Sequence, residues 1–188
     1  MSERTGYVQV YTGDGKGKTT AAFGLAMRAA GRGLRVLVLQ FMKANPSCGE
    51  VVSAARLGIG VEQVGLDHWV RKGEATVGDL RAAAAGFRRA RGCVDGGEYD
   101  LVVLDELITA VFFELVAAGD VCALFAGKPA HVELVATGRG RPTRSSRPPT
   151  WSPRCGRSST TTTPASALAR ASSTERSAPF AAGSDGVG

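Results

Sequence analysis

Residues 12–20 read TGDGKGKTT and place three glycines and two lysines within nine positions. The preceding residues 7–12, YVQVYT, have the composition of a β-strand. The following TTAAFGLAMRAAGRG has helical periodicity and ends at a Gly-Arg-Gly C-cap, Gly31 to Gly33. A glycine-rich turn between a strand and a helix lets successive backbone N–H groups point at one anion, and the amino end of the helix adds its positive dipole. The stretch therefore predicts a phosphate-binding loop.

Within this loop, Lys18 and Thr19 are the residue types that phosphate and magnesium chemistry require. The pattern GxxxxGK[ST] needs glycine at position 12, where the chain has Thr12, but Gly17, Lys18 and Thr19 match the remainder. The Lys18 ammonium is predicted to reach the phosphates as a point charge, and the Thr19 hydroxyl to ligate Mg²⁺. The alternative is a glycine-rich surface turn that happens to hold two lysines, which the position between strand and helix disfavours.

A second candidate element is residues 101–107, LVVLDEL, where an apolar strand ends in Asp105 and Glu106. A carboxylate at the carboxyl end of a strand can face a metal ion held at the phosphate loop. One such carboxylate could instead cap the following helix. Two carboxylates in a chain with a phosphate loop favour metal or water chemistry, so Asp105 and Glu106 join Thr19 as candidate metal ligands.

Strand-like and helix-like segments alternate up to residue 140. Four further strands are predicted at residues 35–41, 60–64, 100–105 and 131–137. Helices are predicted at residues 18–30, 51–57, 79–91 with Asp79 as N-cap, from 106 onward, and at 119–126. Alternation at this spacing implies right-handed βαβ units. The predicted fold class is α/β, a P-loop NTPase-like (RecA-like) parallel sheet with helices on both faces, forming one domain over residues 1–140.

Three stretches carry a family resemblance: TGDGKGKTTAAFGLAMRAAGRGLRVLVLQFMK, DLVVLDEL and HVELVATGRG. In this order and spacing they resemble the P-loop class of corrinoid adenosyltransferases, the ATP:cob(I)alamin or cob(I)yrinic acid a,c-diamide adenosyltransferases of bacterial cobalamin synthesis and salvage. The resemblance covers about residues 6–140. The loop GKGKTT without the first glycine of the pattern, and QFMK after the second strand, are themselves marks of that family.

The resemblance implies that the chain transfers the 5′-deoxyadenosyl group of ATP to the cobalt of a reduced corrinoid and releases triphosphate. ATP is then bound in reverse relative to ordinary P-loop ATPases, with C5′ toward the reaction centre. Lys16 and Lys18 bind the phosphates, Thr19 and Glu106 hold Mg²⁺ or Mn²⁺, and Asp105 acts through water or a neighbouring ligand. The nucleotide-binding residues implied by position are Gly13, Asp14, Gly15, Lys16, Gly17, Lys18, Thr19 and Thr20.

The corrinoid side of the predicted site rests on the loop GLDHWVRKGEAT after the third strand. The family packs aromatic residues of this loop against the corrin, and Trp69 matches one of them, although Asp67 stands where a second aromatic is expected. Plain loop packing is the alternative for Trp69. His68 is expected to be solvated and not to bind cobalt, because this chemistry removes a lower axial ligand. Arg139 is a candidate contact for phosphate or corrin carboxylates, with a solvated arginine as the alternative.

Further expectations concern partners and location. The resemblance implies a homodimer and a flavoprotein reductant. The amino-terminal MSERTGYVQVY lacks an apolar signal core, and no run approaches the ~18 apolar residues of a membrane span, which predicts a cytoplasmic protein without a membrane partner. The four cysteines are scattered without metal-ligand spacing, so no cysteine metal centre is predicted.

The positive charge of the chain is concentrated in its last quarter. Residues 1–140 carry 16 Lys and Arg against 15 Asp and Glu, whereas residues 141–188 carry seven Arg against two acidic residues. The net charges are thus +1 and +5. A nearly neutral domain argues against a nucleic-acid partner.

Residues 141–188 do not resemble the domain before them. Ser, Thr and Pro make up nearly half of this segment, a composition typical of disorder. Back-translation of residues 141–175 with GC-rich codons, read one nucleotide earlier, can yield APDALIEAADLVTEM and RPVKHYYDAGV, and the remainder can yield GARAGIEHG. These strings supply the helix, strand and closing GIE signature of the family. We therefore predict a single-nucleotide frameshift at about Gly140–Arg141, which truncates the C-terminal part of the fold.

Other functions remain open on sequence grounds. A RecA-like P-loop ATPase, a nucleotide-binding regulatory module, or an inactive, aggregation-prone frameshifted product of an adenosyltransferase gene would each retain the phosphate loop.

Overall fold

Five strands and five helices lie along residues 4–140, the part of the chain that the computed structural model describes, and two of the helices follow each other before the last strand. The strands are β1 (Val8–Thr12), β2 (Val36–Phe41), β3 (Gly60–Val64), β4 (Leu101–Asp105) and β5 (Glu133–Gly138). The helices are α1 (Lys18–Ala30), α2 (Gly49–Arg56), α3 (Val77–Asp95), α4 (Leu107–Phe112) and α5 (Ala118–Gly127). The predictions made for residues 141–188 lie outside the described residues.

The five strands form one sheet in the order β1-β5-β4-β2-β3, and every pairing is parallel. Strand β5 therefore lies between β1, which leads into the phosphate loop, and β4, which ends in the predicted carboxylates. Because all strands are parallel, their carboxyl ends meet at one edge, where Gln40 is in register with Asp105 and Thr12 with Gly138. The predicted α/β fold with a RecA-like parallel sheet is confirmed.

Two hydrophobic clusters cover the two faces of the sheet. Alternate residues of β2 show this, because Leu37 and Leu39 pack with α3, α4 and α5, whereas Val36 and Val38 pack with α1 and α2. Every residue of β2 and β4 is buried. Strands buried on both faces are nearly continuous apolar runs, which explains the pattern of residues 35–41 and 100–105. The prediction of helices on both faces is thus confirmed.

The start of α3 differs from the sequence prediction. The N-cap is Thr76 and not Asp79, and the helix continues to Asp95. The Thr76 hydroxyl accepts from the Asp79 N–H at 3.1 Å, while the Asp79 carboxylate accepts from the Thr76 N–H at 2.8 Å. This reciprocal capping box satisfies two donors that a helix start leaves open, so the helix begins three residues earlier than predicted.

Within residues 4–140, no helix is both long and apolar enough to cross a membrane.

Candidate active site

The loop between β1 and α1 has the backbone geometry of an anion-binding turn. Gly13 and Gly17 have φ of 141° and 108°, values that side-chain-bearing residues rarely adopt. Gly17 is the N-cap of α1, no side chain caps the helix, and its first turn holds no acidic residue. The first N–H groups of α1 are therefore open to an anion, and the helix dipole favours one there.

Two lysines and a threonine surround this opening. The Lys18 ammonium donates to the carbonyl oxygens of Gly13 and Gly15, at 2.6 Å each, so it lies across the curled loop. Thr19 is partly buried, whereas Lys16 is exposed. The remaining predicted loop residues, Asp14 and Thr20, are also exposed. The loop thus presents positive charge and free N–H groups to solvent at the carboxyl edge of the sheet.

Asp105 is the centre of the polar network at this edge. Its side chain is fully buried, and each carboxylate oxygen accepts two hydrogen bonds. Oδ1 accepts from the hydroxyls of Thr19 at 2.9 Å and Thr137 at 2.6 Å. Oδ2 accepts from Nε2 of Gln40 at 3.0 Å and Nζ of Lys43 at 2.9 Å. The carboxylate therefore connects the phosphate loop, β2, the turn after β2, and β5.

The network keeps Asp105 ionised although it is buried. Burial raises the pKa of the Asp105 carboxyl, but the Lys43 ammonium and the hydrogen bonds from Thr137, Lys43 and Gln40 outweigh it, and the pKa is lowered. Burial conversely lowers the pKa of Lys43, and its attraction to Asp105 and Glu50 reverses this, so the pKa is raised. Asp105 and Lys43 thus form an ion pair at neutral pH.

Glu106 is held in an unusual backbone conformation. Its φ is 60°, in the left-handed region, and its N–H donates to Oγ1 of Thr137 at 3.0 Å. Its carboxylate accepts from the Thr109 hydroxyl at 2.5 Å, and the same hydroxyl oxygen accepts from the N–H of Arg139 at 2.8 Å. Neither strand-end carboxylate caps α4, because Glu106 makes no capping hydrogen bond and both Asp105 oxygens are occupied elsewhere. The helix-cap alternative is therefore not found.

The donor set at this edge fits a magnesium ion shared with phosphates. Each oxygen of the Asp105 carboxylate already accepts two hydrogen bonds, and within residues 4–140 no three His, Cys, Asp or Glu side chains cluster around a common point. One hydroxyl, on Thr19, and one carboxylate, on Glu106, remain as potential ligands. Mg²⁺ typically keeps several waters and takes only one or two carboxylates besides substrate phosphates.

The residues predicted for the corrinoid side are at the same edge of the sheet but outside this network. Trp69, in the loop after β3, is 96% exposed. No hydrogen bond or ring contact joins it to the phosphate loop within the described part of the chain. Nε2 of His68 lies 3.0 Å from Oδ1 of Asp79, so this half-exposed imidazole has a carboxylate partner in addition to solvent. Arg139 is exposed, and its backbone N–H connects it to Thr109.

Four residues of the site were not identified from the sequence: Gln40, Lys43, Thr109 and Thr137. A signal existed for Gln40, which is a polar residue inside the buried apolar strand RVLVLQF. Its side chain is fully buried and also accepts from Gln63 at 2.9 Å. Lys43 belongs to the noted QFMK stretch, but nothing in the sequence indicated that its partner is Asp105.

Two cavities differ in their relation to this network. One of about 490 Å³ lies between α1 and α2 and is lined by Thr19, Thr20 and Lys43. A larger one, about 680 Å³, is lined by Leu34 and Leu101 and opens at the amino ends of the strands. Ligands of open parallel sheets bind at the carboxyl ends of the strands, so the smaller cavity is the one that belongs to the candidate site.

The fold and the site together define a P-loop α/β protein with a RecA-like strand order. The sequence model of the family described as ATP:corrinoid adenosyltransferase BtuR/CobO/CobP matches residues 4–146. The chain belongs to this family and is an adenosyltransferase of corrinoid metabolism.

Individual relatives agree with the family match. The chain is 35% identical over 140 residues to corrinoid adenosyltransferase CobA of Salmonella typhimurium. The aligned region is 73% of this chain and 70% of the relative. It is 33% identical over 139 residues to the corrinoid adenosyltransferase of Escherichia coli K12, with the same coverage. An uncharacterized protein of Nostoc is 35% identical over 156 residues, which are 75% of this chain and only 41% of that protein.

Proposed function

We propose that this chain binds ATP at the phosphate loop and transfers its 5′-deoxyadenosyl group to Co(I) of a reduced corrinoid, cob(I)alamin or cobyrinic acid a,c-diamide. Family membership favours adenosyl transfer over the RecA-like ATPase. The observation that carries the proposal is the hydrogen bond of 2.9 Å between Thr19 and Asp105. It joins the anion-binding loop to the strand-end carboxylates, as binding of a metal–triphosphate requires.

In the proposed reaction the electron pair of Co(I) attacks C5′ of ATP. A cobalt–carbon bond forms, the C5′–oxygen bond breaks, and the bonding electrons leave with the triphosphate. Cobalt is oxidised to Co(III) as it is alkylated. Because the substrate supplies the nucleophile, the protein has to position the two substrates, stabilise the leaving triphosphate and exclude water from a strongly reducing centre.

The phosphate side of the proposed site consists of the amino end of α1, Lys16 and Lys18. The Lys18 ammonium bonds two loop carbonyls, and we propose that phosphate oxygens replace these acceptors when ATP binds. The charge-assisted bonds to phosphate are stronger than those to neutral carbonyls, which favours the exchange. In the proposed arrangement these groups contact the triphosphate, and they stabilise the negative charge that grows there as the C5′–oxygen bond breaks.

We propose that Thr19 and Glu106 hold Mg²⁺, or Mn²⁺, and that Asp105 acts through Thr19. When the Thr19 hydroxyl donates its hydrogen bond to Asp105, the lone pairs of its oxygen point away from the carboxylate and are available to a cation. When bound, the ion would neutralise charge on the triphosphate. The left-handed backbone of Glu106 and the hydroxyl of Thr109 orient the carboxylate for this role.

On the corrinoid side we propose contacts from Trp69 and Arg139. An indole that is almost fully exposed beside the carboxyl edge suits a flat apolar macrocycle, and a guanidinium suits its carboxylates or the phosphates. We further propose that the chain works with a flavoprotein reductant, forms a homodimer and is cytoplasmic. We propose no nucleic-acid or membrane partner. The family resemblance supports the first two, and the charge pattern and the lack of long apolar runs support the others.

The test combines protein, MgATP and chemically reduced cobalamin under anaerobic conditions. We expect the absorption spectrum of the adenosylated corrinoid and one equivalent of triphosphate. Lys18→Ala is expected to abolish both products. Arg88→Ala is the control, because it removes an exposed positive charge on α3 that makes no hydrogen bond or ion pair in the described part of the chain, and it should leave both products unchanged. Orthophosphate released without a cobalt requirement would instead indicate the ATPase.

A further inference from the structure

The β3–α3 loop, residues 65–76, carries Trp69 and is fixed to the protein where it begins. A Cβ on Gly65 would lie 2.5 Å from the backbone nitrogen of Lys43, so the loop and the turn after β2 are in direct backbone contact. No side chain fits between them. The loop therefore starts from a defined position beside Lys43, the residue that also pairs with Asp105.

His68 fixes the loop on one side of Trp69. Its Nε2 lies 3.0 Å from Oδ1 and 3.2 Å from Oδ2 of Asp79. An ionised carboxylate only accepts hydrogen bonds, so Nε2 is a protonated nitrogen of the imidazole. Asp79 is buried and is itself held by the capping box of α3. The residue before Trp69 is thus bound to a rigid group at the start of a helix.

Lys72 fixes the loop on the other side of Trp69. Its ammonium lies 4.0 Å from the centroid of the Phe112 ring, at the end of α4, and a cation in this position is attracted by the ring face. Between the two fixed points, Val70 is half-buried and packs against the hydrophobic cluster that α3, α4 and α5 share. Positions 68, 70 and 72 of the loop therefore all contact the rest of the protein.

Trp69 differs from its neighbours. Its side chain is 96% exposed, although the residues on both sides of it, His68 and Val70, contact the protein. The exposed indole gains none of the free energy that burial of an aromatic side chain supplies. The loop thus holds a large apolar group in solvent on a backbone that is fixed before and after it.

We propose that His68 and Lys72 are positioning residues for Trp69, and that they hold the β3–α3 loop in the conformation in which the indole contacts the corrinoid. The inference rests on the proposed function, because it takes Trp69 to contact the corrinoid. His68 and Lys72 need no contact with the substrate and act through the position of the indole. A loop that is already ordered loses less conformational entropy when a ligand binds, so the two residues strengthen corrinoid binding.

The first experiment measures kcat and the KM for cob(I)alamin and for ATP with the full chain. His68→Ala should raise the corrinoid KM about fivefold and change kcat and the ATP KM less than about twofold. His68→Gln keeps an N–H donor for Asp79 and should restore most of the affinity. His131→Ala is the matched control, because Nε2 of the other histidine also has one hydrogen-bond partner, the carbonyl oxygen of Gly97 at 3.1 Å, but outside the loop.

The second experiment removes the contact of Lys72. Lys72→Ala should raise the corrinoid KM about threefold with the same selectivity. Arg91→Ala is the matched control, because the Arg91 guanidinium also lies over a ring, 5.6 Å from the centroid of Phe87, but within α3. Both control variants should leave both KM values unchanged.

A double variant separates positioning from a general structural role. If His68 acts through the indole, His68→Ala should have no further effect on the corrinoid KM in a chain that already carries Trp69→Ala. An equal effect of His68→Ala in both backgrounds would overturn the inference. The corrinoid KM values of His68→Ala and Lys72→Ala would also overturn it if they equalled that of wild type while Trp69→Ala raised the KM. In that case the proposed function would stand.

A further measurement needs no substrate. Trp69 and Trp151 are the two tryptophans of the chain, so a Trp151→Phe background makes Trp69 the single indole fluorophore. Time-resolved anisotropy should show faster local motion of this indole in His68→Ala and Lys72→Ala than in His131→Ala and Arg91→Ala. Equal local motion in all four variants would overturn the inference. A chain that forms no adenosylated corrinoid would contradict the proposed function, and the anisotropy would then decide separately whether the two residues hold Trp69.

Discussion

The hydroxyl of Thr19 donates to Oδ1 of Asp105 at 2.9 Å although β5 lies between β1, which leads into the loop before Thr19, and β4, which ends at Asp105. Thr137, on β5, spans the gap by donating to the same oxygen at 2.6 Å. The carboxylate is thus held from β5 and from the phosphate loop at once. Because parallel strands end at one edge, residues 86 positions apart in sequence meet there.

Removal of the Lys43 ammonium beside Asp105 should destabilise the fold. Lys43→Met leaves a carboxylate that is fully buried without its partner, and loss of one member of a buried pair costs about 3–5 kcal/mol. We expect about 3 kcal/mol, the lower end, because the Lys43 side chain is 27% exposed. Urea unfolding measures this loss.

Two companion variants identify the origin of that loss. Lys43→Arg keeps the charge and should lose much less, while Lys43→Met combined with Asp105→Asn removes both charges and should recover part of the stability. An unfolding free energy of Lys43→Met equal to that of wild type would contradict the assignment of Lys43 and Asp105 as a buried ion pair.

The capping box of α3 should contribute to the unfolding free energy by an amount that depends on pH. The hydrogen bond from the Thr76 hydroxyl lowers the pKa of Asp79, and although burial raises it, the Thr76 N–H and His68 lower it further, so the pKa in the fold is below that of the unfolded chain. The stabilisation by the ionised Asp79 is therefore fully present above about pH 3.9, the pKa of an aspartate in the unfolded chain. It is lost as the pH falls through the lower pKa that Asp79 has in the fold. Thr76→Ala should cost about 1 kcal/mol at pH 7, and this difference should shrink below about pH 4.

Unfolding free energies measured between pH 7 and pH 3 check this expectation. Ser47→Ala is the control, because Ser47 is exposed and its side chain makes no hydrogen bond in the described part of the chain. A difference between wild type and Thr76→Ala that stays constant down to pH 3 would show that Asp79 is not involved.

Trp69 should affect the corrinoid and not the fold. Its side chain is 96% exposed, and exposed substitutions usually change stability by less than about 0.5 kcal/mol. Trp69→Ala should raise the KM for the corrinoid about tenfold and leave the KM for ATP unchanged. Tyr7→Ala, at an aromatic residue 56% exposed at the amino edge of the sheet, should change neither constant. Identical corrinoid KM values for Trp69→Ala and wild type would remove Trp69 from the proposed site.

Gly138 should not tolerate a side chain. Its φ is 154°, and a Cβ would lie 2.4 Å from the backbone nitrogen of Thr109 and 2.8 Å from Cβ of Ile108. Overpacking of this kind costs about 1–3 kcal/mol, so Gly138→Ala should lower the unfolding free energy by about 2 kcal/mol. Gly92→Ala, on an open helix surface, should be neutral or slightly stabilising. Equal thermal midpoints of the two variants would contradict this explanation.

The predicted frameshift can be tested directly on the gene. Resequencing across codons 136–145 should show that one nucleotide has been gained or lost near codon 140. The restored frame should encode the helix, strand and GIE signature inferred from residues 141–175. A single intact frame through the threonine codons, together with full enzyme activity of the chain as printed, would contradict the prediction.

The sequence by itself determined the fold class, the phosphate loop and the strand-end carboxylates. Each of these depends on neighbouring residues: the glycines and lysines of residues 12–20, the apolar run of residues 101–105, and the alternation of periods two and 3.6. Local geometry imposes these patterns, so they can be recognised without knowing where the elements pack. The misplaced start of α3 shows the limit, because Thr76 and Asp79 are both capping residues and only the chain path after β3 decides between them.

Only the tertiary structure decided which groups surround Asp105. Its four donors belong to the phosphate loop, to β2, to the turn after β2 and to β5, and they meet because β4 lies between β2 and β5. The cavity between α1 and α2 likewise depends on how two helices pack on one face of the sheet. Strand order and helix packing are set by burial summed over the whole core, which no single stretch of residues encodes.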